Sequence, residues 1–186
     1  FASSENATDS TVTTTAKKAP MTTEAAQAWR KWLELLRNTT KVHLGDKLQL
    51  LVKDLLDNFM YISQDAGYLT AVLDEHQVGS GDWSNGCTFV SDAGSSYLCG
   101  LWKLLFRMSL GVANYNAAAA TEETKISVPE VVTTIQGLVK DADIGCDVDE
   151  GCREIFQRPV VIDGDNQEME LALWIGELRN SLQQHR

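Results

Sequence analysis

Apolar residues recur every three to four positions in five long segments of this chain, the pattern of amphipathic helices. In the first segment, TTEAAQAWRKWLELLRN, Thr23 is placed to cap the helix. Its apolar face consists of Ala25, Trp29, Trp32, Leu33 and Leu36. In the second, GDKLQLLVKDLLDNFMYI, Asp46 occupies the capping position. Its apolar stripe consists of Leu48, Leu51, Val52, Leu55, Leu56, Phe59 and Ile62.

Three further segments complete the helical pattern. The stretch from Leu101 to Ala113 is apolar almost all round, which predicts a central position in a bundle. Ser127 opens the sequence S-V-P-E, a capping box before a fourth helix. The inward positions of that helix are Val131, Val132, Ile135, Leu138 and Val139. The fifth helix is predicted from about Glu168 to Leu182, with Leu171, Trp174, Ile175, Leu178 and Leu182 inward.

Two weaker signals lie between these segments. A short helical piece is predicted around Tyr68 to Leu73, before the loop sequence QVGSGDWSNGC. The sequence RPVVIDG is the one strand-like stretch, and Pro159 and Gly164 confine it to a few residues. The chain is therefore predicted to be all-α, a bundle of about five helices.

Composition narrows the possible partners. The chain has 186 residues and is 44% hydrophobic and 23% charged, which suits one globular domain with or without a helical appendage. Its formal net charge of -10 argues against a nucleic-acid partner, because that binding needs clustered Lys and Arg. No apolar run approaches the length of about 20 residues that is needed to span a bilayer. Residues 1–20 are rich in Ser, Thr and Ala without apolar periodicity, so we expect a tail or linker there.

Four cysteines fall into two near pairs, Cys87 with Cys99 and Cys146 with Cys152. An even count in near pairs suits disulfides in an oxidising compartment. Zinc sites use shorter C-x2-4-C spacings, and the three histidines lie far from either pair in sequence, so we expect no metal. The sequence DVDEGCRE starts like a calcium-binding EF-hand loop, but its glycine comes one place early and the acid at the loop's end is missing.

Four stretches, taken in order, carry a resemblance to a known family: GCTFVSDAGSSYLCGLWKLLFRMSL, VPEVVTTIQGLVKDADIGC, CREIF and LALWIGELRNSLQ. They resemble the helices of the Erv-type flavin domain of quiescin sulfhydryl oxidases. The resemblance implies an Erv-like helical domain over residues 86–186. The helical region 21–80 is similar in kind to the helix-rich region that precedes this domain in the same enzymes.

The resemblance implies a role for each cysteine. Cys87 and Cys99 match the family's structural disulfide, and Trp102 matches the tryptophan that lies against the flavin. Cys146 and Cys152 match the redox pair, which the family writes as Cys-x-x-Cys at the junction of two helices. Here three extra residues separate the two halves of that motif.

The last helix of the family grips the flavin, and here its motif is changed. Trp174 and Asn180 match the family pattern, whereas Arg179 replaces a histidine and Gln183 replaces the final asparagine. Phe106 stands where the family has another histidine. Three polar flavin contacts implied by the resemblance are therefore altered.

The spacing of Cys146 and Cys152 favours a structural cross-link, or staple, over a redox pair. A Cys-x-x-Cys ring at a helix start is readily reduced and holds a low-pKa thiol, but five intervening residues relax that ring. The acids at Asp147, Asp149 and Glu150 also oppose thiolate formation.

We therefore expect a degenerate, disulfide-stapled Erv-like domain without a cofactor. It is predicted to act as a non-catalytic structural or interaction module, with a protein partner or as a subunit of a larger complex, in a secretory or organelle lumen. The alternative is an FAD-dependent sulfhydryl oxidase, in which Cys146 and Cys152 pass electrons from substrate thiols through FAD to oxygen. In that case FAD is expected against four residues: Trp102, Trp174, Arg179 and Asn180.

Overall fold

The computed structural model describes residues 20–39, 45–77, 93–142, 146, 150–162 and 164–185, without the side chains of 45, 93–100 and 183–185. Within these ranges the regular structure is helical and contains no strand, which confirms the all-α class. A short 3-10 helix covers Glu122–Thr124. The α-helices are α1 (Thr23–Thr39), α2 (Gly45–Asp57), α3 (Phe59–Ile62), α4 (Ala66–Glu75), α5 (Ala93–Ala118), α6 (Val128–Ala142), α7 (Glu150–Phe156) and α8 (Gln167–His185).

The described residues form eight α-helices where about five were expected. The second predicted helix divides at Asn58, whose φ of -96° and ψ of 9° interrupt the helix. The Asn58 side chain donates to the Asp54 carbonyl oxygen at 2.9 Å, the local competition with backbone bonding that favours asparagine at breaks. The seven-residue helix α7 is too short for a periodic apolar pattern to reveal it.

Helix starts differ from the expectation at two places, by one residue in α1 and by two residues in α2. Thr22, rather than Thr23, caps α1, because its Oγ1 accepts a hydrogen bond from the Ala25 amide at 3.2 Å. Asp46 lies inside the first turn of α2, which begins at Gly45. There its carboxylate still faces the positive end of the helix dipole.

The main hydrophobic core joins both ends of the described chain. Its centre consists of side chains that are almost fully buried: Val52, Leu105, Met108, Val112, Val128, Val131, Ile135, Phe156 and Leu171. Trp32 and Leu36 of α1 pack into the same core. The predicted regions 21–80 and 86–186 therefore share one core, and their division into two units stays a prediction.

A second, smaller core lies among α1 to α4. It contains Leu33, Leu51, Leu55, Phe59, Ile62 and Val72. Several large apolar side chains of the same helices remain exposed around it: Leu50, Met60, Tyr61 and Tyr68. This core is smaller than the main one and less completely covered.

Among the described side chains of α5, from residue 101 on, one face is buried in the main core and the opposite face is partly exposed. Leu105, Met108 and Val112 face the core, whereas Phe106 is 51% exposed and Leu110 43% exposed. The buried face approaches α1 closely at Gly111, where an added Cβ would overlap the backbone carbonyl of Thr39. Glycine is required at this crossing by space, not by backbone conformation.

The strand-like sequence RPVVIDG forms no strand in the described residues. Val160 and Ile162 pack against the main core, while Val161 between them is 77% exposed. The side chains thus alternate as in a strand, but the described part of the chain contains no strand with which this segment could form a ladder. No helix in the described part of the chain is long and apolar enough to cross a bilayer.

Candidate functional site

The site begins with a disulfide between Cys146 and Cys152, which confirms that predicted pairing. The two Cα atoms lie 5.4 Å apart, and Cys152 belongs to the first turns of α7. Both cysteines are buried in the main core, with 4% and 6% of their surface exposed. The other predicted pair, Cys87 with Cys99, lies outside the described residues.

Helix α7 presents one apolar face to the core. Cys152, Ile155 and Phe156 are three and four positions apart, so they project from the same side of the helix, and all three are buried. Phe156 is 1% exposed and stacks on Trp102 of α5, with ring centroids 5.9 Å apart and an angle of 10° between the rings. The disulfide and the aromatic pair therefore belong to one packed cluster.

A glutamine on α6 fixes the end of α7. The Gln136 Nε2 donates to the carbonyl oxygens of Phe156 at 2.9 Å and Arg158 at 3.2 Å. The side chain of Gln157 donates in return to the Gln136 carbonyl oxygen at 2.9 Å. The carbonyl of Phe156, the last residue of α7, thus finds its partner on a neighbouring helix. The disulfide ties the start of α7 to Cys146 in the segment after α6, and Gln136 ties the end of α7 to α6 itself.

The four residues expected around a flavin are not equally placed. Trp174 is buried in the main core, and Trp102 is partly buried against it. Arg179 and Asn180 are exposed on α8, on positions that do not share the inward stripe of Trp174 and Leu178. The structure brings the two tryptophans and the disulfide into one cluster and leaves Arg179 and Asn180 at the surface.

The buried residue Asn116 was missed by the sequence analysis. Its Nδ2 donates to the Ile126 carbonyl oxygen at 3.0 Å and to the Glu168 carboxylate at 2.8 Å. Its Oδ1 accepts from the Ile126 amide at 2.7 Å. Asn116 therefore ties the end of α5 to the segment before α6 and to the start of α8. Its spacing of four from Val112, on the inward stripe of α5, is the sequence signal that could have identified it.

The described residues contain no group of three or more His, Cys, Asp or Glu side chains arranged to hold a metal ion. Cys146 and Cys152 are joined to each other and supply no thiolate ligand.

Two lysines in surface ion pairs have a raised pKa. A hydrogen bond to Asp57 raises the pKa of Lys53, and a hydrogen bond to Glu122 raises the pKa of Lys125. Both lysines are well exposed, so solvent screens these pairs.

Comparisons with protein-family models, with curated proteins and with solved structures found no match to this chain. The resemblance to the Erv-type flavin domain therefore stays a prediction.

Proposed function

We propose that this chain is a non-catalytic helical module in which the Cys146–Cys152 disulfide is a structural cross-link. The observation that carries the proposal is the burial of both cysteines in the main core, with 4% and 6% of their surface exposed. Thiol–disulfide exchange requires a thiolate to reach one sulfur of the bond, so its rate depends on access. A disulfide enclosed by packed side chains reacts only when the core around it opens.

The aromatic residues beside the disulfide also support a packing role. Phe156 covers one face of the Trp102 ring, and parallel offset aromatic pairs of this kind stabilise a core beyond the area that they bury. In the family that this chain resembles, the matching tryptophan lies against the flavin. Here Phe156 packs against the Trp102 ring and occupies part of the surface that a flavin would contact.

The polar groups expected to hold FAD are weak candidates. Phe106 cannot donate a hydrogen bond, and it is 51% exposed. Arg179 and Asn180 are exposed at the surface of α8. Each missing hydrogen-bond partner weakens ligand binding by about 1 kcal/mol or more, so FAD is expected to bind weakly.

One observation favours the alternative, an FAD-dependent sulfhydryl oxidase. Cys152 and Phe156 lie one turn apart on α7, and Phe156 contacts Trp102. The disulfide and Trp102, which would both have to lie beside a flavin, therefore belong to the same part of the core. In addition, Arg179 could bind a diphosphate, since guanidinium groups suit that ligand.

A disulfide-linked, non-catalytic module is expected in an oxidising compartment and in contact with other proteins. A stable disulfide suits an oxidising compartment, so we place the chain in a secretory or organelle lumen. Its role there is structural or interactive, with a protein partner or within a larger assembly.

Flavin titration and oxygen uptake separate the two functions. Purified protein is titrated with FAD while flavin fluorescence is followed, and oxygen uptake is measured with dithiothreitol as the thiol donor. The non-catalytic proposal expects no tight binding and the same oxygen uptake for the wild type and for Cys152→Ser. Micromolar or tighter binding, together with uptake that disappears in Cys152→Ser, would establish the oxidase instead.

A further inference from the structure

The outer surface of α2 to α4 exposes an aromatic pair. Tyr61 and Tyr68 stack with ring centroids 5.2 Å apart and 24° between the rings, yet they are 56% and 48% exposed. Met60 and Leu50, on the same helices, are 67% and 55% exposed. We call these four residues the tyrosine face. A stacked aromatic pair that stays exposed, with further exposed apolar side chains on the adjoining helices, is typical of an interaction site.

Acidic residues outnumber basic ones in the segment that carries the tyrosine face. Residues 46–77 contain six acids (Asp46, Asp54, Asp57, Asp65, Asp74 and Glu75) and two cations (Lys47 and Lys53), a difference of -4. Asp57 precedes Tyr61 by four positions, and Asp65 lies between the tyrosines in sequence. Lys53 pairs with Asp57 at 2.6 Å within α2, and this pair leaves the net charge of the segment at -4.

The exposed face of α5 offers a contrast in charge. It carries Phe106 and Leu110, but its charged residues are Lys103 and Arg107, and the sequence of α5 contains no acid. The two apolar surfaces are therefore distinguishable by the sign of the charge beside them. A basic partner is favoured at the tyrosine face and disfavoured at α5.

We propose that the tyrosine face binds a basic segment of another protein, with Arg or Lys side chains over the Tyr61 and Tyr68 rings. A cation over an aromatic ring is attracted by the ring's negative face. Leu50 and Met60 supply apolar contact, and Met suits surfaces that adapt to a partner. The net charge of -10 adds long-range attraction for the same partner.

This proposal deepens the proposed interaction role and rests on it, but its test is independent of flavin. The chain has four methionines, namely Met21, Met60, Met108 and Met169. Methyl-labelled methionine therefore gives one NMR signal in the tyrosine face, from Met60. Met169 is 63% exposed on α8 and Met108 is fully buried, so both serve as internal references.

The probe is a synthetic helical peptide with Leu at every third or fourth position and Arg between. The full chain is titrated with this peptide and with a matched peptide that carries Glu in place of Arg. The Met60 signal is expected to shift with the Arg peptide, while the Met108 and Met169 signals stay in place. The Glu peptide is expected to leave all of them unchanged.

Two variants test the aromatic contribution. Tyr61→Leu with Tyr68→Leu keeps an apolar surface but removes both rings, and it is expected to weaken binding of the Arg peptide about fivefold or more. Phe106→Leu on α5 is the matched control and is expected to leave that affinity unchanged. Far-ultraviolet circular dichroism checks that both variants keep their helix content.

Several results would overturn the proposal. They are equal shifts with the two peptides, no shift of Met60, and a tyrosine variant that binds as well as the wild type. Self-association in sedimentation, together with a Met60 signal that shifts with protein concentration in the absence of peptide, would also overturn it. A failed peptide titration leaves the flavin result standing, whereas tight FAD binding with turnover overturns the non-catalytic role whatever the peptide does.

Discussion

The main core and the small core of α1 to α4 differ in how completely they are closed. The main core has many side chains with almost no exposed surface, and the disulfide and the Gln136 hydrogen bonds brace α7 against it. The small core has six buried residues, and its helices α3 and α4 have only 4 and 10 residues. Buried apolar area is the main source of stability, so the main core is expected to determine global unfolding. The small core is expected to open locally, at lower free energy.

The largest expected difference comes from removing one aromatic side chain from each core. Phe156→Ala deletes a ring that is 1% exposed and also removes the partner of Trp102, so a loss of about 3–5 kcal/mol is expected. Phe59→Ala, at 7% exposure in the small core, is the matched change. Phe59→Ala is expected to lower the free energy of local opening in α2 to α4, which hydrogen exchange measures. This decrease is expected to exceed the decrease in the global free energy of unfolding.

Urea denaturation and hydrogen exchange measure both variants. If Phe156→Ala and Phe59→Ala lowered the global free energy of unfolding equally, the two cores would unfold together as one unit. That result would contradict the lower local stability expected for the small core.

The next largest effect is expected at the crossing of α1 and α5. Gly111→Ala places a methyl group against the Thr39 carbonyl, and rigid backbone on both sides makes relief difficult, so a loss of about 1–3 kcal/mol or more is expected. Gly176→Ala on α8 is the control, because nothing lies within 4 Å of its Cβ position. That change is expected to stabilise the protein by about 0.5–1 kcal/mol through helix propensity. A Gly111→Ala variant as stable as the wild type would contradict the close packing of these helices.

Loss of the disulfide is expected to have a moderate effect. Replacing Cys146 and Cys152 by Ser removes a cross-link over a short loop, and the chain-entropy estimate gives about 2 kcal/mol. The fold is expected to persist, because the apolar burial of α1, α5, α6 and α8 remains. The corresponding Ala pair separates loss of the cross-link from the cost of burying two hydroxyl groups. Complete unfolding of both pairs at room temperature would show that the disulfide is required for folding.

The smallest effect is expected at the polar contact of the small core. His76 Nε2 lies 2.7 Å from Asp54 Oδ2 and links α4 to α2. His76→Ala removes one partly exposed contact, so stability is expected to fall by about 1 kcal/mol or less. The change is expected to appear as faster hydrogen exchange in α4 alone. Asp65 caps the same helix through the Gly67 amide, and this bond remains. A global loss as large as that of Phe156→Ala would contradict a peripheral role for this contact.

Apolar periodicity predicted the inward faces of α1, α6 and α8, because each of these helices buries one side against the main core. It could not predict contacts between residues far apart in sequence. Asn116 and Glu168 are 52 positions apart, and Gln136 meets Phe156 from another helix. Gly111 likewise cannot be distinguished in the sequence from any other helical glycine, because its role depends on the contact with α1.

The candidate site was predictable in its covalent part and in the face that α8 buries. The pairing of Cys146 with Cys152 was expected from their proximity in sequence, and the structure confirms it. The contact between Trp102 and Phe156 depends on how α7 folds back on α5, which no local pattern encodes. The exposure of Arg179 and Asn180 follows from which face α8 buries, with Trp174 and Leu178 inward.

The structural interpretation of the disulfide is tested most directly by the rate at which dithiothreitol reduces it. Alkylation followed by peptide mapping reports the Cys146–Cys152 bond separately from the other cysteines. The reaction is run in native buffer and in rising urea. A buried structural cross-link is expected to resist reduction in native buffer and to react in proportion to the unfolded population. Rapid reduction in native buffer, at a rate unchanged by urea, would contradict that interpretation and indicate an accessible redox pair.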